Sequence, residues 1–159
     1  MPTSTVSYPT TRGLPITSPY GWRTNPISGE LEFHAGIDIA GNGEHHPVYA
    51  VQTGTVLVNQ WSETGGWIVY IQHIEDHYYS RYLHLKEQSP IPAGAMVTSG
   101  QQIGLMGSTG DSTGIHLHLE IATSNSGWGT EAGTIDPVPY LEGSQDGGGG
   151  HPPPGDIEK

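Results

Sequence analysis

The sequence predicts an all-β domain, an antiparallel β-sheet sandwich or barrel-like sheet. Three observations carry this expectation. The apolar residues fall in short runs at even spacing, with no long helical period and no internal repeat. The chain is rich in turn formers, with 24 glycines and 13 prolines among 159 residues. Residues 115–121, IHLHLEI, alternate aliphatic and polar side chains, which is the period of a strand with one face in a core.

In chain order the runs are VYAV (48–51), TVLV (55–58), WIVYI (67–71), YYSRYLHL (78–85), QQIGLM (101–106) and IHLHLEI (115–121). Glycines and prolines between them, such as Gly54, Gly65, Gly66, Pro90, Pro92 and the stretch Gly107 to Gly114, mark the turns. Residues 1–13 are rich in Thr, Ser and Pro and read as an extended lead-in. The compact domain is expected over residues 14–142. Residues 143–159 turn glycine-rich and then proline-rich, and read as a linker or tail. A linker there implies an additional domain beyond it.

The net charge is −11 with only five Lys plus Arg. That argues against nucleic acid, whose phosphates need a basic footprint, and against anionic membrane surfaces. A divalent cation suits the charge better. There is no cysteine, hence no disulfide framework, thiolate metal site or thiol nucleophile. No apolar run approaches the roughly 20 residues of a membrane span. The opening MPTSTVSYPT lacks the basic and apolar regions of a signal peptide. A monomer is expected.

Nine histidines against five Lys plus Arg direct attention to imidazole chemistry. In FHAGID (33–38), His34 and Asp38 are four apart; in an extended segment both face one side, with only Gly36 between them. That is half of a zinc site. IHLHLEI supplies the other half: one of His116 and His118 completes a three-ligand site, and the other stands beside the position left for water. In RYLHL (81–85), strict alternation places Tyr82 and His84 on one face, and Leu83 and Leu85 on the other. His84 is a candidate second imidazole and Tyr82 a candidate hydroxyl donor. Carboxylate, imidazoles and aliphatic backing point to a metal hydrolase on a β scaffold, without the HExxH helix of common zinc proteases.

GWRTNPISGELEFHAGIDIA (21–40), YLHL (82–85) and GQQIGLMGSTGDSTGIHLHLEI (100–121), in that order and followed by Asp136 and Pro137, resemble the M23 family of zinc metallopeptidases. This is the lysostaphin/LytM group of peptidoglycan endopeptidases. The resemblance runs from about Ser18 to Pro137. It implies the LytM (duplicated hybrid motif) fold, with long loops forming a groove. It implies one Zn²⁺ per chain held by His34, Asp38 and His118. His84 and His116 match the two catalytic histidines that do not bind metal, and Tyr82 is a lesser candidate for an oxyanion contact. Glu120 continues the polar face as a possible acceptor for a neighbouring histidine.

The substrate implied is bacterial peptidoglycan peptide, stem or cross-bridge. The place implied is the cell wall, outside the cell, or a phage virion carrying an endolysin or tail lysin. Tyr8, Tyr20, Trp22, Trp61, Trp67, Tyr78, Tyr79 and Trp128 are available to line a long groove or to fill the core. The EHHP stretch (44–47) departs from the family pattern, and His45 and His46 are expected in an exposed loop. His73 is expected as support; His77 and His151 are expected at the surface. Two other classes stay open: a non-catalytic M23-like wall-binding or activator module, and a histidine phosphocarrier of related fold. The His34/Asp38 pair speaks against the second.

Overall fold

The computed structural model describes residues 4–25 and 28–148. In chain order it contains β1 (Ile16–Ser18), β2 (Gly21–Thr24), β3 (Leu31–His34), β4 (Ile37–Ala40), β5 (Pro47–Tyr49) and β6 (Gly54–Ser62). There follow β7 (Gly66–His73), β8 (Tyr78–Leu85), β9 (Met96–Val97), β10 (Gln102–Leu105), β11 (His116–Ala122), β12 (Thr134–Ile135) and one helical turn, α1 (Pro137–Leu141). The main sheet runs β1-β4-β11-β8-β7-β6-β9, with β12 also pairing to β11. Every pairing between these strands is antiparallel, and two further ribbons, β2–β3 and β5–β10, lie outside this sheet. The all-β expectation therefore holds, and each of the six apolar runs overlaps a strand.

The aliphatic face of the sheet forms the core. Ile37 and Ile39 of β4, Leu117, Leu119 and Ile121 of β11, and Val69 and Ile71 of β7 are fully buried. They pack with Val48, Ile103 and Met106, contributed by the β5–β10 ribbon and the residue after it. Burial of each such side chain is worth roughly 1.5–3 kcal/mol, which fixes the register that puts the alternate residues on the opposite face. At the end of the domain, Asp136 caps α1 by accepting a hydrogen bond from Val138 N at 3.0 Å, with Pro137 in the first turn.

Packing reaches beyond residues 14–142 on both sides. Val6 joins the core, Ser7 N donates to Val51 O at 2.8 Å, and Tyr49 N donates to Pro9 O at 2.7 Å. Tyr8 N and Gln145 O pair at 2.7 Å, and Gly148 N reaches Gly100 O at 2.8 Å. The rest of the glycine- and proline-rich tail, including His151, lies outside the described residues.

Two local details differ from the alternation expected of the sequence. FHAGID is not one strand. It bends at Ala35 and Gly36, so that His34 ends β3 in the outer ribbon and Asp38 sits in β4 of the main sheet. Gly36 makes this possible: a Cβ there would lie 2.3 Å from Leu119 O. In β8, three steps from Tyr82 to Leu85 oppose two from Val69 to Trp67 on β7. This is a β-bulge, and its extra residue is His84, at φ 65°. The bulge turns His84 onto the face of Leu83 and leaves Tyr82 and Leu85 together in the core.

Candidate active site

The polar face of β11 is the floor of a cleft of about 770 Å³. Register places the site's residues on neighbouring strands: His118 lies opposite Asp38 of β4 on one side and Leu83 of β8 on the other. Glu120 lies opposite Arg81. The β2–β3 ribbon brings His34 over this floor. His34, Asp38, His84, His116 and His118 thus line one cleft.

Each imidazole is held by one nitrogen and presents the other. His34 Nδ1 faces Pro19 O at 2.9 Å. His84 Nδ1 faces Thr109 O at 2.7 Å, and His116 Nδ1 faces Gly114 O at 2.9 Å. A carbonyl accepts only, so these contacts assign the proton to Nδ1 and leave Nε2 for the cleft. His118 is the reverse: its Nε2 donates to Glu120 Oε2 at 2.8 Å, and its Nδ1 lies 2.9 Å from Asp38 Oδ1.

His34 Nε2, an Asp38 oxygen and His118 Nδ1 converge. One ligand atom from each of these residues lies within 4.8 Å of the others. His34 Nε2 is 3.5 Å from Asp38 Oδ2, and His118 Nδ1 is 2.9 Å from Asp38 Oδ1. These separations bracket the roughly 3.4 Å edge of a tetrahedron with ligands at about 2.0–2.1 Å. Two imidazole nitrogens and one carboxylate suit Zn²⁺ among the common metals, and the donor set fits such an ion. His116 Nε2 stands 3.9 Å from Asp38 Oδ1, and the His84 and His116 rings are 4.8 Å apart, flanking the ligand set.

The electrostatics follow from burial and these contacts. Burial alone would raise the Asp38 carboxyl, but hydrogen bonds from His118 and His34 outweigh it and hold the group far below the usual range. Burial would lower His118, yet its bonds to Asp38 and Glu120 raise it. His84 is pushed down, chiefly by burial and further by the neighbouring His116 and His118. Burial would also raise Glu120, but His118 and Arg81 keep it ionised.

Two groups around Glu120 escaped the sequence reading. Arg81 Nη2 donates to Glu120 Oε2 at 2.8 Å and Gly129 N donates to Oε1 at 3.0 Å. The Arg81 guanidinium itself lies 5.6 Å from the centre of the Tyr70 ring and 5.1 Å from that of Trp128. The signal was the scarcity of cations: with so few, an arginine in the same motif as a candidate catalytic histidine is informative. Arg23, in the β2–β3 ribbon, also lines the cleft.

Tyr82 does not join the site. It is fully buried on the core face, where its hydroxyl accepts from Val51 N at 3.0 Å and is hydrogen-bonded to the Ser80 hydroxyl at 2.8 Å. Ser80 in turn meets the buried His73 at 2.8 Å. The bulge at His84 is the physical reason, since it breaks the alternation that would have aligned Tyr82 with His84. The EHHP loop stays apart as well: His45 Nδ1 binds Met106 O at 2.8 Å and His46 Nδ1 meets Thr11 Oγ1 at 3.0 Å. Among the described residues no Tyr or Trp lines the cleft, and Tyr20, Tyr78, Trp67 and Trp128 pack against other rings. None of residues 4–13 lines it either.

The sequence profile of peptidase family M23 matches residues 32–131, which span most of β3, the cleft floor and the Gly129 loop. The chain belongs to peptidase family M23. Among its M23 relatives, the peptidoglycan DD-endopeptidase ShyC of Vibrio cholerae is 37% identical over 99 residues, covering 62% of this chain and 22% of that protein. The DD-carboxypeptidase/endopeptidase Mpg of Neisseria meningitidis is 38% identical over 105 residues, covering 66% and 24%. The chain thus spans about a quarter of the length of these curated relatives. A crystal structure of a zinc-containing peptidase from Vibrio cholerae superposes with a TM-score of 0.67 at 32% identity, over 83% of this chain and 39% of that one. The catalytic domain of the antimicrobial peptidase lysostaphin from Staphylococcus simulans does so with 0.69 at 29% identity, over 81% and 92%.

Proposed function

We propose that this M23 domain is a zinc-dependent endopeptidase acting at the bacterial cell wall on peptidoglycan peptides, with a D,D-peptide cross-link between stems as the bond cut. One observation carries the reading. The three donor atoms and both non-ligand imidazoles face the same cleft, each ring held in the tautomer its role needs. The DD-endopeptidase names of the relatives near 37% identity favour the D,D bond over a glycine bridge.

His34, Asp38 and His118 would hold one zinc ion, which supplies Lewis acidity towards the scissile carbonyl and a water of lowered pKa. His84 and His116 divide the proton work. Each offers a lone pair at Nε2, backed by a carbonyl on Nδ1 that steadies the ring and its positive charge once protonated. The ring that accepts the proton from the attacking water then donates it from Nε2 to the departing amine. The other ring, when charged, donates to the oxyanion.

The test is hydrolysis of purified cross-linked muropeptide dimers, with zinc content measured on the same sample and His116→Ala as the control. Near one zinc per chain, cleavage by wild type and a zinc-bound, inert His116→Ala are expected. Stoichiometric zinc with no cleavage of any dimer would overturn the enzymatic reading in favour of a non-catalytic wall-binding module.

A further inference from the structure

Arg23 is placed by register on the face of the β2–β3 ribbon that looks into the cleft. It pairs with Glu32, two positions from His34, and Gly21 pairs with His34 itself, so Arg23, Glu32 and His34 share a face. Trp22 and Phe33 share the other, where their rings meet edge to face at 5.3 Å.

The other cations among the described residues are committed or lie elsewhere. Arg12 binds Asp146 and Ser144 beside the lead-in. Lys86 is exposed and outside the cleft. Arg81 is in the cleft wall but closed, with Nη1 donating to the Tyr70 hydroxyl and Nη2 to Glu120. The Arg23 side chain is 38% exposed. Its Nε donates to Glu32 at 3.0 Å and its Nη1 to Ser18 Oγ. Glu32 is itself 37% exposed, and solvent-screened pairs of this kind bind weakly, so Glu32 does not retire the guanidinium. The terminal Nη edge is the part of a guanidinium that matches a planar carboxylate.

In a chain of net charge −11, an accessible arginine beside a metal site needs a reason. Without it, the surrounding field repels anionic peptides. Resting on the endopeptidase reading, we propose that Arg23 is the carboxylate-recognising residue of the cleft, and that the preferred substrate carries a free carboxylate near the scissile bond.

The probes are two synthetic stem-peptide dimers joined by the D,D link: one with free carboxylates, the other with every carboxylate converted to carboxamide. Zinc-loaded wild type, Arg23→Gln and Arg23→Lys are compared, with zinc content and thermal midpoint measured on each. Wild type should prefer the acid dimer by roughly tenfold or more, mainly in KM. Arg23→Gln should lose that preference while keeping its zinc and its rate on the amidated dimer, and Arg23→Lys should recover part of it. A wild type that cuts both dimers equally overturns the inference and leaves the endopeptidase reading standing. So does an Arg23→Gln that slows both dimers by one factor. A wild type that cuts neither overturns the reading and the inference with it. The wild-type preference is read without any variant, so a poorly folded Arg23→Gln does not silence the test.

Discussion

Replacing Glu120 by Gln removes one charge and changes almost no volume, yet it strikes three hydrogen bonds at once. Glu120 accepts from His118 Nε2, Arg81 Nη2 and Gly129 N. A glutamine has one acceptor oxygen. If that oxygen takes the His118 and Arg81 bonds, the new amide N–H group meets the Gly129 N–H donor to donor. Converting two charge-assisted bonds to neutral ones costs about 1 kcal/mol each, whereas the Gly129 N–H belongs to an exposed residue, regains water and adds little. The zinc-free domain should therefore lose about 2 kcal/mol, because Glu120 is almost wholly buried and water does not repair those two bonds. Metal affinity should fall separately, by about 10- to 100-fold, since the Glu120 carboxylate raises the basicity of the His118 nitrogen presented to the ion and a neutral amide does so less. The assay is a zinc titration against a competing chelator, run with thermal unfolding of zinc-free and zinc-loaded protein. A folded Glu120→Gln that binds zinc within about twofold of wild type would refute the role given to Glu120.

Further outcomes are expected. His34→Ala, Asp38→Ala and His118→Ala should each lose zinc and activity, whereas His116→Ala should lose activity alone; zinc analysis that finds His116→Ala empty and His118→Ala loaded reverses the ligand assignment. Burial pushes the His73 imidazole down from 6.5 to about 4, so the unfolded chain takes up this proton between those values and the folded chain does not. Its stabilising effect is present above pH 6.5 and is lost on acidification, by about 3 kcal/mol at pH 4. Urea midpoints between pH 7 and 4.5 should fall more steeply for wild type than for His73→Gln, and parallel curves would remove His73 as the cause. Gly36→Ala should destabilise the domain by about 1–3 kcal/mol through the clash with Leu119 O, and should also weaken zinc retention because His34 and Asp38 flank it; both are read from melts with and without zinc.

The sequence made the site legible where the chemistry rides on uninterrupted strands. IHLHLEI behaves as its alternation demands, with Leu117, Leu119 and Ile121 in the core and His116, His118 and Glu120 on the cleft face. His34 and Asp38 were legible as a pair but not as a bend, since both an extended segment and a kink at Gly36 bring them to one side. The misplacement of Tyr82 has a similar origin. A left-handed residue usually announces itself as glycine, and here the position is His84, so the period of 2 ran through it unchecked. Arg81 and Arg23 were hidden for another reason. Their meaning depends on cross-strand pairing: Arg81 meets Glu120, 39 residues on, and Arg23 is aimed by the register of the β2–β3 ribbon.

The loop Gly107 to Gly114 supplies the carbonyl under both candidate proton-transfer histidines, Thr109 O for His84 and Gly114 O for His116. It is tied down by Thr109, whose hydroxyl donates to Leu85 O at 2.6 Å and accepts from Trp67 N at 3.1 Å. The two rings come from different strands but share one foundation. On the endopeptidase reading, a shift of this loop would release both imidazoles together, while His34 and His118 keep their separate supports, Pro19 O and Glu120. On that reading, proton transfer would rest on one eight-residue segment, apart from the residues that would hold the metal.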